Sequence, residues 1–343
     1  MLCPSATKAV DAVPLPGLDP RTTVARRQAL QDALLRIEMP RTSRTESLRA
    51  QGVVRDTLAW LWQAVTGPVL GHLGIAAAPA GPLPRVWWAP GGVLGTLPLH
   101  AAAPEGGAPG ALDRVISSYT PTLRALHHAR QRAARPAGTG ALVVAVGEAS
   151  GLAPLPAARR EAGHLTRLLP SAQVLTGASA THSAVVSALP RSAYAHFACH
   201  ALGDLERPSG SRLVLHDHTE HPLTVRDLAR LRLPSVRLAY LSACDTLRTS
   251  PELADEAVHI VSALQIAGFP HVVGSLWHID DTIGAGVAQG VYRVRGPGHG
   301  RRRTGCRPDS RGPALHRVRA ARHVSPDSEP VGLPGARGSL GPV

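Results

Sequence analysis

The sequence predicts an α/β protein in which a mostly parallel sheet is flanked by helices on both faces. Short apolar runs alternate with helical patterns of roughly 10–15 residues, the signature of strands joined by helical crossovers. The chain has 343 residues, 44% of them apolar, enough to bury a full core. No repeat period is present, so a solenoid is excluded.

Taken in order, residues 1–45 form a lead-in with scattered Pro and Arg and one helix around Val24–Ile37. From Glu46 to Leu73 the spacing of Leu48, Val54, Leu58, Leu61, Trp62 and Val65 is helical, with a break near Gly67-Pro68, and predicts a core-facing helix pair. Strands follow at Arg85–Trp88, Val115–Tyr119, Ala141–Gly147, Ala172–Leu175, Ala193–Cys199, Arg212–Leu215, Arg237–Ala243 and His271–Trp277. Helical patterns over Ala157–Leu169, Thr181–Leu189, Thr224–Leu231, Glu256–Ala267 and Asp281–Tyr292 separate many of them. Past Tyr292 aromatic residues vanish and large aliphatics are few. That segment cannot build a core and is expected to be disordered or the product of a reading-frame slip in GC-rich DNA.

Composition removes several function classes. The net charge is +13. Residues 295–343 alone hold ten Arg and three acids, a net +7, so the body is only mildly basic. It shows no aromatic-interleaved basic patch, and nucleic-acid binding rests on charge alone. Lys8 is the one lysine among 37 basic residues and sits in neither a phosphate-cradling loop nor a Schiff-base context. Cysteines at 3, 199, 244 and 306 make no C-x-x-C pair, and no H-E-x-x-H, G-x-S-x-G or G-x-G-x-x-G occurs, so neither a metal nor an organic cofactor is expected. The N-terminal stretch is broken by prolines rather than shaped as a signal peptide, and no run approaches the roughly 18 apolar residues of a membrane span. A cytoplasmic location without membrane partners is expected.

One constellation carries chemistry. In Tyr194-Ala195-His196-Phe197-Ala198-Cys199-His200-Ala201, alternation sets Tyr194, His196, Ala198 and His200 on one strand face and Phe197 and Cys199 on the other. Forty-four residues after His200, a second apolar strand runs out at Cys244. The intervening segment suits a right-handed crossover that lays the two strands parallel, with His200 and Cys244 at one carboxyl edge, where open parallel sheets place their sites. A cysteine nucleophile needs a base within reach to form its thiolate and later to protonate the leaving group. The backbone N–H groups of Cys244 and Ala201 would hold the oxyanion. By spacing alone, a catalytic pair and a buried cysteine beside a strand-end histidine serve equally well; for Cys199, which faces away, a buried hydrophobe is the better reading.

The strings AHFACHA, PSGSRLVL, LTVRDLARL, LAYLSACDT and DEAVHIVSALQIAGFPHVVGSLWHIDD, with VWWAPGGVLGTLPLHAA and SSYTPTLRAL upstream, resemble the CHAT domains, caspase-like cysteine peptidases of the clan that also holds caspases and separase. The resemblance spans about residues 47–293. It implies a caspase–hemoglobinase-like fold over residues 46–293, with a pseudo-half over 46–140 and a catalytic half over 141–293, followed by a tail over 294–343. It implies His200 as general base, Cys244 as nucleophile, and hydrolysis of a protein or peptide substrate. Two departures stand out. The usual His-Gly is His200-Ala201 here, whose methyl group is expected to crowd the oxyanion site, and the family's closing helix is missing from the tail. A catalytically silent CHAT module acting as a binding or scaffold domain is the alternative. Relatives often carry or recruit helical-repeat sensors such as TPR arrays; none is encoded here, so such a regulator would be a separate chain or a lost neighbouring segment.

In separase-like relatives an acid shortly after the equivalent strand contacts a basic P1 side chain. Asp280 and Asp281 of SLWHIDD fall in that place; for one of them capping of the following helix is the better reading, which leaves P1 contact to the other. The run His216-Asp217-His218-Thr219-Glu220-His221 has a metal-like composition but lies in a polar turn, and a solvated loop is expected. Glu256 and His259 match a family segment, for which packing and hydrogen bonding are the expected roles.

Overall fold

The computed structural model describes residues 10–39, 42–136, 138–204, 207–242, 260–277, 279 and 281–295. The first half is built on helices. α1 (Pro20–Glu38) starts where Asp19 accepts a hydrogen bond from the Thr22 N–H at 2.9 Å with Pro20 in the first turn. α2 (Arg44–Leu61) starts at a reciprocal Ser43–Glu46 capping box. Where the sequence suggested a break at Gly67-Pro68, the chain instead runs through a π-helical turn (Trp62–Thr66) into α3 (Gly67–His72). The wider turn satisfies the Gly67 N–H on the Trp62 carbonyl. It also demands glycine, because a Cβ at Gly67 would stand 2.7 Å from the Trp62 oxygen.

These helices pack over β1 (Arg85–Trp88) and β2 (Ile116–Tyr119), a separate parallel pair, with α4 (Ala111–Arg114) just before β2. Leu30, Val54, Leu61, Leu70, Trp88 and Leu97 share its core. α5 (Leu123–Ala133), capped by Thr122, links this half to the next. It buries none of its residues fully.

The second half is a five-stranded, all-parallel sheet in the order β10-β9-β5-β3-β4. Its strands are β3 (Ala141–Ala145), β4 (Gln173–Thr176), β5 (Tyr194–Ala198), β9 (Leu238–Leu241) and β10 (His271–Val273). Alternation decides which layer each side chain joins. Leu142, Val144, Phe197, Cys199, Ala239 and Leu241 lie in one buried cluster, with residues of α7 (His182–Ala188), α8 (Val225–Arg230) and α9 (Ile260–Ala267). Val143, Ala145, Ala198, Leu238 and Tyr240 lie in another, against α6 (Pro156–Leu168) and α10 (Asp281–Arg295). With both faces covered, the strands read as continuous apolar runs, as parallel strands do.

The expected strand at Arg212–Leu215 does not join the parallel sheet. Its ordered part is β7 (Arg212–Leu213), the middle of a small antiparallel sheet with β6 (Ala201–Leu202) and β8 (Leu223–Thr224). Elements of two residues leave no periodic trace in a sequence. The tail expected to be disordered or frameshifted falls, from residue 296 on, outside the described residues.

Candidate active site at the carboxyl edge of the sheet

The parallel pairing expected for the two motif-bearing strands is present: β5 and β9 are neighbours, in the register Tyr194↔Leu238 to Phe197↔Leu241. The Ser242 N–H extends the ladder onto the Phe197 carbonyl at 2.8 Å, and the Val146 N–H bonds the Ala198 carbonyl at 2.9 Å on the other side. The backbone is therefore held on both flanks up to the last turn before His200.

His200 is two residues beyond β5 and partly exposed. Its Nε2 stands 2.7 Å from the Ala153 carbonyl oxygen. A carbonyl only accepts, so Nε2 is the donor; in the neutral ring Nδ1 is then the nitrogen with the lone pair that a general base uses. The Ala153 loop is braced by the Leu155 N–H on the Gly147 carbonyl at 2.7 Å, and it turns at Gly151 with a φ of +75° that favours glycine. The His200 carbonyl accepts the Val214 N–H at 2.9 Å, which ties the same residue to the antiparallel sheet.

Ala201 opens β6 and pairs with Leu213. It packs against the larger apolar cluster of the sheet, so its methyl is housed in extended backbone beside that core rather than in a tight turn. Cys199 is fully buried in the same cluster, and burial pushes its thiol up to about 12. It is a small hydrophobe, as its face of the strand suggested.

Cys244 lies outside the described residues, as do Asp280, Glu256 and His259. The described chain leaves β9 at Leu241 and ends at Ser242. The pairing offset of β5 and β9, 197 to 241, equals the sequence separation of His200 and Cys244. Asp281 is the first residue of α10, and its side chain lies outside the described residues.

The histidine-rich run 216–221 is a turn, yet it is not simply solvated. Asp217 accepts the His182 N–H at the start of α7 at 2.9 Å, and His218 is buried with neither ring nitrogen hydrogen-bonded among the described residues. The apolar residues that bracket the run draw its centre inward. Among the described residues no group of His, Cys, Asp or Glu is arranged to hold a metal.

Sequence reasoning passed over the polar cluster beneath this edge. Glu161 of α6 is 3% exposed, with Oε1 3.2 Å from His196 Nε2 and Oε2 accepting the Ser242 hydroxyl at 2.9 Å. His196 stacks on Tyr240 at 5.1 Å between ring centroids and meets Tyr292 of α10 edge-on at 5.6 Å. Burial, reinforced by Glu161, raises the phenol pKa of both tyrosines. The signal was available: Glu161 falls on the face of α6 otherwise made of Ala157, Ala158, Ala162 and Leu165.

A five-stranded parallel sheet covered by helices, with an oriented histidine at the carboxyl edge of a central strand, defines an α/β protein of caspase-like architecture. The family model of the CHAT domain matches residues 55–304, and the chain belongs to that family. No curated protein matches it.

Proposed function

We propose that this CHAT domain is a cysteine endopeptidase in which Cys244 is the nucleophile and His200 the general base. The observation that supports it most is the His200–Ala153 hydrogen bond. It orients the ring and, in the neutral imidazole, leaves the Nδ1 lone pair at the sheet edge where the β9 strand, which leads to Cys244, also runs out. In this reading His200 Nδ1 takes the Cys244 thiol proton, the thiolate sulfur attacks the scissile carbonyl carbon, and the N–H groups of Ala201 and Cys244 hold the oxyanion. As the C–N bond breaks, the imidazolium gives its proton to the leaving amine and a thioester remains. Water, its proton taken by His200, hydrolyses the thioester and restores the thiol. The reaction needs neither metal nor organic cofactor. The substrate is a protein or peptide, with one of Asp280 and Asp281 assigned to a basic P1 side chain and the other to the cap of the helix that follows. A separate helical-repeat chain would serve as regulator.

Among the described residues no helix is long and apolar enough to cross a membrane, and a cytoplasmic location fits the reduced thiol that the chemistry requires. An activity-based peptide probe tests the assignment: labelling at Cys244 that is lost in His200→Ala supports it. Labelling that ignores His200, or an inert Cys244 in a folded protein, favours a silent scaffold module instead. Cleavage of Arg and Lys P1 peptides over acidic ones, erased by Asp280→Ala or Asp281→Ala, supports the specificity assignment; equal cleavage rejects it.

A further inference from the structure

We propose that Glu161 is a positioning residue for His200, setting through α6 where the Ala153 carbonyl meets the imidazole; the inference rests on His200 as general base. Glu161 is the point at which three elements join. Its Oε1 stands 3.2 Å from Nε2 of His196, which lies on β5 four residues before His200, and its Oε2 takes the Ser242 hydroxyl at the exit of β9. The helix that carries it is also the one that follows the Ala153 loop, with Ala153 three residues ahead of Pro156 at its start.

Apart from Glu161, the buried face of α6 is Ala157, Ala158, Ala162 and Leu165, mostly small side chains that allow a helix to slide along its own axis. Sliding by one residue moves a helix by about 1.5 Å, enough to break a hydrogen bond of ordinary length. A carboxylate that accepts the hydroxyl of one strand and lies against the imidazole of the other resists that slide. The Leu155–Gly147 backbone bond then carries the fixed position of α6 into the Ala153 loop. Burying a carboxylate is unfavourable unless it is paired, and the site is imperfectly satisfied: Glu161 Oε1 and His196 Nε2 stand at ion-pair distance without forming a hydrogen bond, and His196 Nδ1 and the Tyr292 hydroxyl have no hydrogen-bond partner among the described residues. An alanine or leucine at position 161 would pack the same face without that penalty. A cluster kept in spite of it suits a role in specifying geometry rather than in adding stability.

The test reads the His200 ring directly, by nitrogen-15 NMR of histidine-labelled full-length protein at neutral pH, with the resonance assigned by its loss in His200→Gln. In the parent the Nε2–H proton is expected to be visible and protected. Glu161→Ala is expected to make it exchange with water about tenfold faster, and Ser242→Ala, which severs one arm, about threefold faster. Glu161→Gln, whose amide oxygen still accepts from Ser242, should rescue most of the protection. Leu165→Ala, on the same buried face, should destabilise the fold yet leave the ring proton protected. The inference is overturned if the parent proton is unprotected, if Glu161→Ala and Ser242→Ala leave it as in the parent, or if Leu165→Ala exposes it equally. Should Glu161→Ala fail to fold, Ser242→Ala decides on the same criterion. Because the readout is not activity, a ring that behaves as expected beside a Cys244 whose labelling ignores His200 would reject the peptidase reading and leave the positioning role standing.

Discussion

His100 in the helical half and His200 in the sheet half both lie near the carboxyl end of a parallel strand pair, and the two environments use the imidazole in opposite ways. His100 Nδ1 is 2.9 Å from the Tyr119 hydroxyl, the last side chain of β2, and the same oxygen accepts the His100 backbone N–H at 3.0 Å. With the backbone N–H groups of both His100 and Leu99 directed at its oxygen, the hydroxyl donates to Nδ1 of the neutral ring, so the basic nitrogen is occupied. Burial pushes the His100 pKa down to about 4 and holds the ring neutral. His200 instead gives Nε2–H to a carbonyl and leaves Nδ1 with no hydrogen bond among the described residues. The same side chain is a structural strut where Nδ1 is the bonded nitrogen and a candidate base where Nε2 is. The partner atom sets the chemistry.

The largest expected effect breaks or keeps that division. His200→Ala should lower the rate of Cys244 labelling or peptide cleavage by about 10²–10⁴-fold, the usual contribution of a positioned base. His100→Ala should leave the rate per folded molecule within about twofold, because its effect falls on stability. An equal loss in both, measured on samples shown to be folded, would end the distinction between strut and base.

A smaller effect sharpens the structural side. Tyr119→Phe removes the hydroxyl and leaves two groups of His100 without their partner, so it should cost about 1–3 kcal/mol of stability. A fall in the denaturant midpoint with unchanged slope would register it; no fall would mean that water replaces the hydroxyl without loss. Cys199 gives a parallel check on the sheet half. With its thiol buried and raised to about 12, it should resist alkylation in the native protein and react only after denaturation, and Cys199→Ala should retain activity. Native alkylation of Cys199 at a rate near that of free cysteine would contradict its burial.

How far the sequence foretells these features follows from what each one leaves in it. The β5–β9 pairing was legible because alternation in YAHFACHA and the apolar run in LAYL mark strands, and a crossover of the intervening length must return them parallel. The helices α1, α2, α6 and α7 were legible for the matching reason, each having an apolar stripe. α5 was not, because its half-exposed apolar face is mostly alanine within an Arg- and His-rich segment. Glu161 was hidden because a charged residue reads as surface unless the helix face around it is counted, and Ala153 because it acts through a backbone carbonyl that every residue type possesses. The packing of Ala201 against the core was not legible, because the antiparallel pairing that places it there is made by strands two residues long.

The smallest expected effect is the pH dependence that His100 confers. The unfolded chain has an ordinary histidine with a pKa near 6.5, whereas the folded protein holds His100 at about 4. Between those values the unfolded state binds more protons, so stability is fully present above about pH 6.5 and drains away as pH falls, levelling off below about pH 4. Between pH 7 and pH 6 the loss from this one group is about 0.7 kcal/mol. The chain has 17 histidines, so the total slope does not isolate it. The difference in slope between the parent and His100→Gln does, because the substitution removes the titration while keeping a side chain able to meet the Tyr119 hydroxyl. A parent that loses more stability than the variant over that single pH step confirms a buried neutral strut. Identical slopes would mean that His100 titrates in the folded protein as it does in the unfolded one, and the contrast with His200 would then rest on hydrogen-bond geometry alone.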